Sequence, residues 1–322
     1  MLTNEQIQEL IRKATISTAT GGQLNTEQAK ELIDLVVSQN EFLQKIQTVQ
    51  MTASEYQLSL LDLNSRMLRR AVEGTAPAET FGVNITPRSL NYKETILPFD
   101  VTFSFLEENI EGNNADAKIQ RAFAKQFGND LLDLAVNGDE SLAETITDTT
   151  PANGLDDTTG LSQNDHSFLR QNDGWLKIAL GDSSVHDFTI PATPTYKDVF
   201  KSMFKLLPNK WRRDIPNLIF LVSPNVEVDY RAELGERVTA LGDSMVTERR
   251  SAQFNGIDVV PLPFMPDNAI LFTHAKNLAV GIGRAMRVGR QVQERKRVIE
   301  YTVTAKVDFN YAVSDQIVLG YK

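Results

Sequence analysis

Between Ile299 and Tyr311 the sequence alternates without a break. Ile299, Tyr301, Val303, Ala305, Val307, Phe309 and Tyr311 are apolar, while Glu300, Thr302, Thr304, Lys306, Asp308 and Asn310 are polar. Period two of this kind predicts a strand with one buried face. Roughly thirteen residues at about 3.3 Å each extend about 43 Å, far beyond the usual strand of five or six. That length is unusual for a globular sheet.

The rest of the chain predicts an α+β protein. Thr3 with Gln6 forms a capping box ahead of Ile7, Leu10, Ile11 and Ala14, and Asn25 with Gln28 opens a second helical stripe that runs through Leu32, Val36, Leu43 and Ile46. Two short amphipathic helices cannot bury their stripes alone and must dock on the body or on another chain. Tyr56 to Leu63 and Leu97 to Phe105 read as two strands around a tip containing Gly74, Pro77 and Gly82, which predicts a long hairpin. A long helix is capped by Asn113 or Asn114, carries Ile119, Phe123, Phe127, Leu131 and Leu134, and stops at Asn137-Gly138. Residues 139–194, rich in Thr, Asn, Asp and Gly, predict loops with little regular structure except near Trp175 to Leu180. From 195 onward the pattern is α/β: a helix after Thr195, a strand over 217–222, a helix after Ser223-Pro224, short strands near 257–260, 269–272 and 278–280, and a last strand over 316–321.

The inventory of reactive groups is poor. There is no cysteine among the 322 residues, and there are three histidines, His166, His186 and His274, with no metal-ligand spacing. His166 and His186 fall in the polar loops and are expected at the surface; His274 follows a strand and is expected to be a structural hydrogen-bonder. Gly281-Ile-Gly283 imitates a dinucleotide fingerprint, but Met286 replaces the third glycine and no helix follows to hold a pyrophosphate. Gly242-Asp-Ser-Met245 resembles a hydrolase nucleophile block, yet no Asp-x-x-His supplies a base. No catalytic residue, cofactor site or metal site is therefore expected. No apolar run reaches membrane-spanning length, and Met1 to Glu5 lacks the start of a signal peptide.

Charge is uneven. Residues 1–100 hold 9 Lys/Arg against 12 Asp/Glu, 101–200 hold 6 against 17, and 201–322 hold 18 against 13. Arg284, Arg287, Arg290, Arg295, Lys296 and Arg297 form the densest basic stretch. No aromatic residue interleaves it to stack on bases, so pairing with the acidic third of a neighbouring copy is the reading taken.

The order of elements resembles the major capsid protein of tailed bacteriophages, with its Hong Kong 97-type fold, over nearly the whole chain. The stretches that carry the likeness are Leu97-Pro-Phe-Asp-Val-Thr-Phe-Ser-Phe-Leu106 with Glu107–Ile110, the helix ending Leu134-Ala-Val-Asn-Gly138-Asp139, Ile219-Phe-Leu-Val-Ser223-Pro224, Phe254-Asn-Gly256-Ile-Asp-Val-Val260-Pro261, and the closing strands 298–311 and 313–321. The resemblance implies an N-terminal arm (1–54) and an extended loop (55–97). It implies a peripheral domain with a long spine helix (98–140 and 285–312), a polar loop insertion (141–189) and an axial domain (190–284 and 313–322).

It further implies a structural shell protein rather than an enzyme. Such a chain would assemble with itself into pentamers and hexamers in the host cytoplasm, be found in the virion, and enclose double-stranded DNA without sequence-specific contact. Portal and decoration proteins would be further partners. Only about fifty residues precede the loop, an arm's length, which implies a separate scaffolding protein. Lys93 is the only lysine of the loop, and no asparagine and acid match it, so covalent cross-linking is not expected. Candidate inter-subunit residues are Arg66, Arg69, Arg70, Glu73 and Phe81 in the loop, Lys93 at its base, and Glu107 and Glu108 beyond it. To these the basic stretch adds Arg284, Arg287, Arg290, Arg295 and Arg297. Two other readings stand beside this one: an encapsulin-like nanocompartment shell of the same fold, and a nucleotide-dependent enzyme built on the α/β region.

Overall fold

The computed structural model describes residues 22–23, 40–58, 88–103, 115–142, 163–235, 252–283 and 287–322. The long alternating segment is a single strand of 14 residues, Val298–Tyr311. It organises a sheet. Along 298–304 it pairs antiparallel with Arg287–Gln293, and along 298–307 it pairs antiparallel with Lys93–Thr102. The stretch 298–304 is therefore flanked on both sides. The last five residues of the strand pair with Leu278–Gly283, which in turn pairs parallel with Gln47–Met51. A short strand, Gly22–Gln23, closes the far edge against 287–288.

In chain order the strands are β1 (22–23), β2 (47–51), β3 (55–58), β4 (88–91), β5 (93–102), β6 (186–189), β7 (218–222), β8 (253–254), β9 (257–261), β10 (269–274), β11 (278–283), β12 (287–293), β13 (298–311) and β14 (318–321). The described helices are α1 (41–45), α2 (115–137), α3 (163–169), α4 (175–181), α5 (196–206) and α6 (224–235). A second sheet has the order β6-β14-β10-β7-β9-β8, and β3 with β4 makes a separate two-stranded hairpin.

The second sheet is buried on both faces, which explains why β7 is apolar throughout rather than alternating. Leu218, Phe220 and Val222 point into a cluster with Phe200 and Met203 of α5 and Tyr230 of α6. Ile219 and Leu221 point the other way, into a core shared with Leu131 and Ala135 of α2, Trp175 and Leu176 of α4, and Val280 and Phe309 of the first sheet. The helix α6 starts as the sequence predicts, with Ser223 Oγ accepting from Val226 N at 3.2 Å. The helix α5 does not use Thr195 as its cap. The Glu233 carboxylate from α6 accepts from Tyr196 N at 2.7 Å and Lys197 N at 3.1 Å.

Four expectations are corrected. The strand β3 pairs with β4, not with β5; β5 pairs with β13. Alternation identifies a strand's face but not its partner, and a ten-residue strand gains more bonds beside a fourteen-residue one. The segment 139–194 carries more regular structure than the helix expected near Trp175 to Leu180, which is α4: its described residues also contain α3 and β6, and β6 extends the second sheet parallel to β14. Next, the second N-terminal stripe does not run as a helix through Ile46. Asn40 Oδ1 caps a fresh turn, accepting from Phe42 N at 3.0 Å, and residues 47–51 then enter the first sheet as β2. Finally, His166 is not at the surface. It sits on α3 and is 4 % exposed. The first helical stripe, the hairpin tip and Gly242–Met245 lie outside the described residues.

Two glycines let the end of α2 cross the start of α4. Gly174 N donates to Gly138 O at 2.8 Å. A Cβ on Gly138 would lie 2.3 Å from Asn172 O, and one on Gly174 would lie 2.8 Å from Gly138 N. Only residues without a side chain allow backbones this close.

Candidate functional site

Among the described residues the hairpin β3–β4 is bonded edge to edge only within itself, so its hold on the body depends on side chains. Leu58 and Leu90 are buried beside Val49, Met51 and Ala279. Beside this apolar foot lies a polar cluster. The Arg88 guanidinium pairs with Asp182, which follows α4, and donates to Ser314 Oγ at 2.5 Å. Its Cζ lies 4.4 Å from the centre of the Tyr311 ring, a cation–π distance. Tyr311 Oη donates to Asp182 Oδ2 at 2.9 Å. Further along β4, Asn310 Nδ2 donates to Ser89 O at 2.9 Å and Asn91 N donates to Asp308 Oδ2 at 2.6 Å.

The two aspartates of this root titrate in opposite directions. Burial would raise the Asp182 carboxyl, but hydrogen bonds from Ser184 N, Ser314 and Tyr311, together with the Arg88 charge, outweigh it and hold it down to about 2. Burial pushes Asp308 up, against hydrogen bonds from Asn91, Phe309 and Asn172. A depressed carboxylate adds stability that is fully present above its ordinary value of 3.8 and is lost as pH falls through about 2. A raised carboxylate does the reverse, so protonating Asp308 offsets part of the loss. Asp182→Asn is therefore expected to flatten the acid limb of the stability profile between pH 3.8 and about 2. Denaturant melts at about pH 5 and about pH 2.5 check this; an unchanged acid limb would refute it.

The second region is the hairpin of β12 and β13. Its turn is tight: Lys296 N donates to Gln293 O at 3.1 Å and Arg297 N to Glu294 O at 3.2 Å, with Arg297 at φ 53°. Arg297 O accepts from Phe103 N at 3.0 Å, so the turn also anchors the exit of β5. Arg295 and Arg297 are exposed, and Lys296 Nζ lies 3.1 Å from Glu300 Oε1. Beneath this sheet, Phe99 stacks between Tyr301 at 4.8 Å and Phe123 of α2 at 3.4 Å, which fixes the spine helix to the strand face.

The other sequence candidates fall as follows. Lys93 is engaged within its own chain, paired with Glu140. Arg287 and Arg290 lie on β12. Arg66, Arg69, Arg70, Glu73, Phe81, Glu107, Glu108 and Arg284 lie outside the described residues. Gly281 and Gly283 sit inside β11, where a Cβ would meet Met51 Sδ at 2.6 Å and Lys306 Cβ at 2.8 Å. They serve packing between strands, not a phosphate loop. His274 is the structural hydrogen-bonder expected, with Nε2 2.8 Å from Asp214 Oδ2. His186 Nε2 lies 3.1 Å from Asp315 Oδ1, and the same carboxylate takes Lys210 Nζ at 2.6 Å. Among the described residues no cluster of His, Asp or Glu is placed to hold a metal, and no helix is long and apolar enough to cross a membrane. Sequence reasoning missed Arg88, a single arginine with no charged neighbours in sequence; its partners come from segments about a hundred and more than two hundred residues away.

Comparison with known proteins bears on both family and fold. The family model described as phage major capsid protein, P2 family, matches residues 4–319. A putative prophage capsid protein, YqbE of Bacillus subtilis (strain 168), is 27 % identical over 327 residues, covering 96 % of each chain. Among solved structures, a chain of the satellite phage P4 procapsid that includes the size determination protein superposes with a TM-score of 0.70. It covers 100 % of this chain and 98 % of that one at 13 % identity. The capsid of an empty GTA particle gives 0.55 at 14 % identity over 88 % and 89 %. These likenesses identify the fold as the Hong Kong 97 type.

Proposed function

The chain belongs to the P2 family of phage major capsid proteins, and from that premise we propose how its parts divide the work of building a shell. It is a structural protein of the phage capsid. In this reading it assembles with itself into pentamers and hexamers, with a separate scaffolding protein, portal and decoration proteins as partners, and the closed shell holds double-stranded DNA. Assembly takes place in the host cytoplasm. Residues 55–97 form the extended loop that lies on a neighbour. Residues 98–140 with 285–312 form the peripheral domain, and 190–284 with 313–322 form the axial domain. The observation that supports this division best is the hairpin β3–β4, which among the described residues has no sheet partner of its own and is held to the body by side chains. A two-stranded ribbon is marginal alone and gains stability when it lies on a surface. The exposed cations Arg295 and Arg297 at the β12–β13 turn suit a second set of contacts with acidic surface of another copy. A shell needs several such heterologous contacts from one sequence, each of them weak, because many act together.

The family favours the phage reading over the nanocompartment shell and gives no support to a nucleotide-dependent enzyme. Deleting residues 72–84 is expected to leave a folded subunit that forms few or no shells, seen by electron microscopy of the particle fraction. Shells in normal yield from that deletion would show that the loop is no assembly clamp.

A further inference from the structure

Each of the four residues of β4 is fixed to the body by a different device. Arg88 is held through its side chain by Asp182, Ser314 and the face of Tyr311. Ser89 is held through its carbonyl by Asn310, Leu90 through burial at 0 % exposure, and Asn91 through its N–H by Asp308. The Arg88 and Asp182 side chains keep only 25 % and 15 % of their exposure, so the pair is screened from solvent more than a surface ion pair is. The holding residues 308, 310, 311 and 314 come from one end of β13 and the turn after it. None of these bonds is needed to close either sheet, and together they fix the direction of the hairpin at its outermost described pair, Leu58 and Arg88.

We propose that this cluster is a latch that sets the angle of the extended loop in the free subunit, with Arg88 and Asp182 as positioning residues for assembly. The inference rests on the reading of residues 55–97 as an inter-subunit loop. A loop held in its docking direction loses less freedom when it meets a neighbour, so the latch favours association without touching the partner. The next residue, Asp315, binds His186, Lys210 and Trp211. The turn 314–316 thus ties the loop root to the second sheet and to the turn after α5.

The test compares full-length Arg88→Ala, Arg88→Lys and Asp182→Asn with the parent chain and with the 72–84 deletion. Three quantities are read: shell yield by electron microscopy, melting temperature of the unassembled subunit, and amide exchange at 88–91. Arg88→Ala is expected to cut shell yield about tenfold or more while lowering the melting temperature by less than about 4 °C. Exchange at Ser89 to Asn91 is expected to rise. Arg88→Lys keeps the charge but not the fork and should fall between. Phe220→Leu, remote from the latch, calibrates how far lost stability alone reduces yield. Latch variants that fall on that same line, or that assemble like the parent, overturn the proposal. If they assemble normally while the 72–84 deletion does not, the loop reading stands and only the latch fails. If the deletion also assembles normally, both fall.

Discussion

Gly138→Ala is expected to cost the subunit at least about 3 kcal/mol, and Gly174→Ala a similar amount. The added methyl on Gly138 would approach Asn172 O to 2.3 Å and Leu134 O to 2.6 Å; on Gly174 it would approach Val136 O to 2.8 Å and Ala135 O to 2.9 Å. All four are backbone atoms, so no rotamer change relieves the contact. Helix α2 is held by its buried face and Asn172 by a bond from its Nδ2 to Val307 O at 3.1 Å, so neither side yields cheaply. Relief would require the crossing to open, which breaks the bond from Gly174 N to Gly138 O. The internal control is Gly181→Ala. A Cβ there meets nothing within 4 Å and the position closes a helix, so stability should hold or rise slightly. Thermal melts of the three variants decide the matter; a Gly138→Ala subunit as stable as Gly181→Ala would refute the crossing.

Phe220→Ala is expected to lose about 3–5 kcal/mol. The ring is fully buried in the middle of the second sheet. It stacks on Phe272 at 4.2 Å and sits 4.7 Å from Phe200 and 6.1 Å from Phe254. Removing it leaves a cavity walled by aromatic rings on separate elements, β10, α5 and β8. These cannot all close in without shifting α5 against the sheet. Denaturant unfolding should show a lower midpoint with a similar slope. A loss below about 1 kcal/mol would mean that the cluster relaxes as a soft core would.

What could be read from the sequence follows from how local each signal is. The strand β13 was legible because its alternation is carried by its own residues. The helix α2 was legible for the same reason: Phe127, Leu131 and Leu134–Ala135 recur at helical spacing before Asn137-Gly138. The strand β2 was not, since Gln47 to Met51 becomes a strand only because β11 lies beside it. In the segment after α2, α4 was legible from Trp175 to Leu180, whereas α3 and β6 were hidden by the surrounding Thr, Asn and Asp. The partner of β5 was misread because pattern gives a face and not a neighbour, and the two candidate strands, 56–63 and 97–105, read at similar length in the sequence. At the candidate site, charge density drew the eye to Arg295 and Arg297. The latch at Arg88 depends on Asp182, Tyr311 and Ser314, whose convergence is a property of the fold and of no local motif.

The parallel pairing of β2 with β11 also has a consequence in time. Gln47 meets Ala279 across roughly 230 residues of chain, a separation that slows any pairing that depends on it. On a ribosome adding about 5–20 residues per second, β2 waits on the order of 10–50 s for its partner to be made. Through that interval the buried residues Val49 and Met51 have no sheet to cover them. This edge strand of the first sheet is thus synthesised long before the strand that seats it. Its docking reports that β11 has been made, and a subunit truncated before β11 would lack this edge.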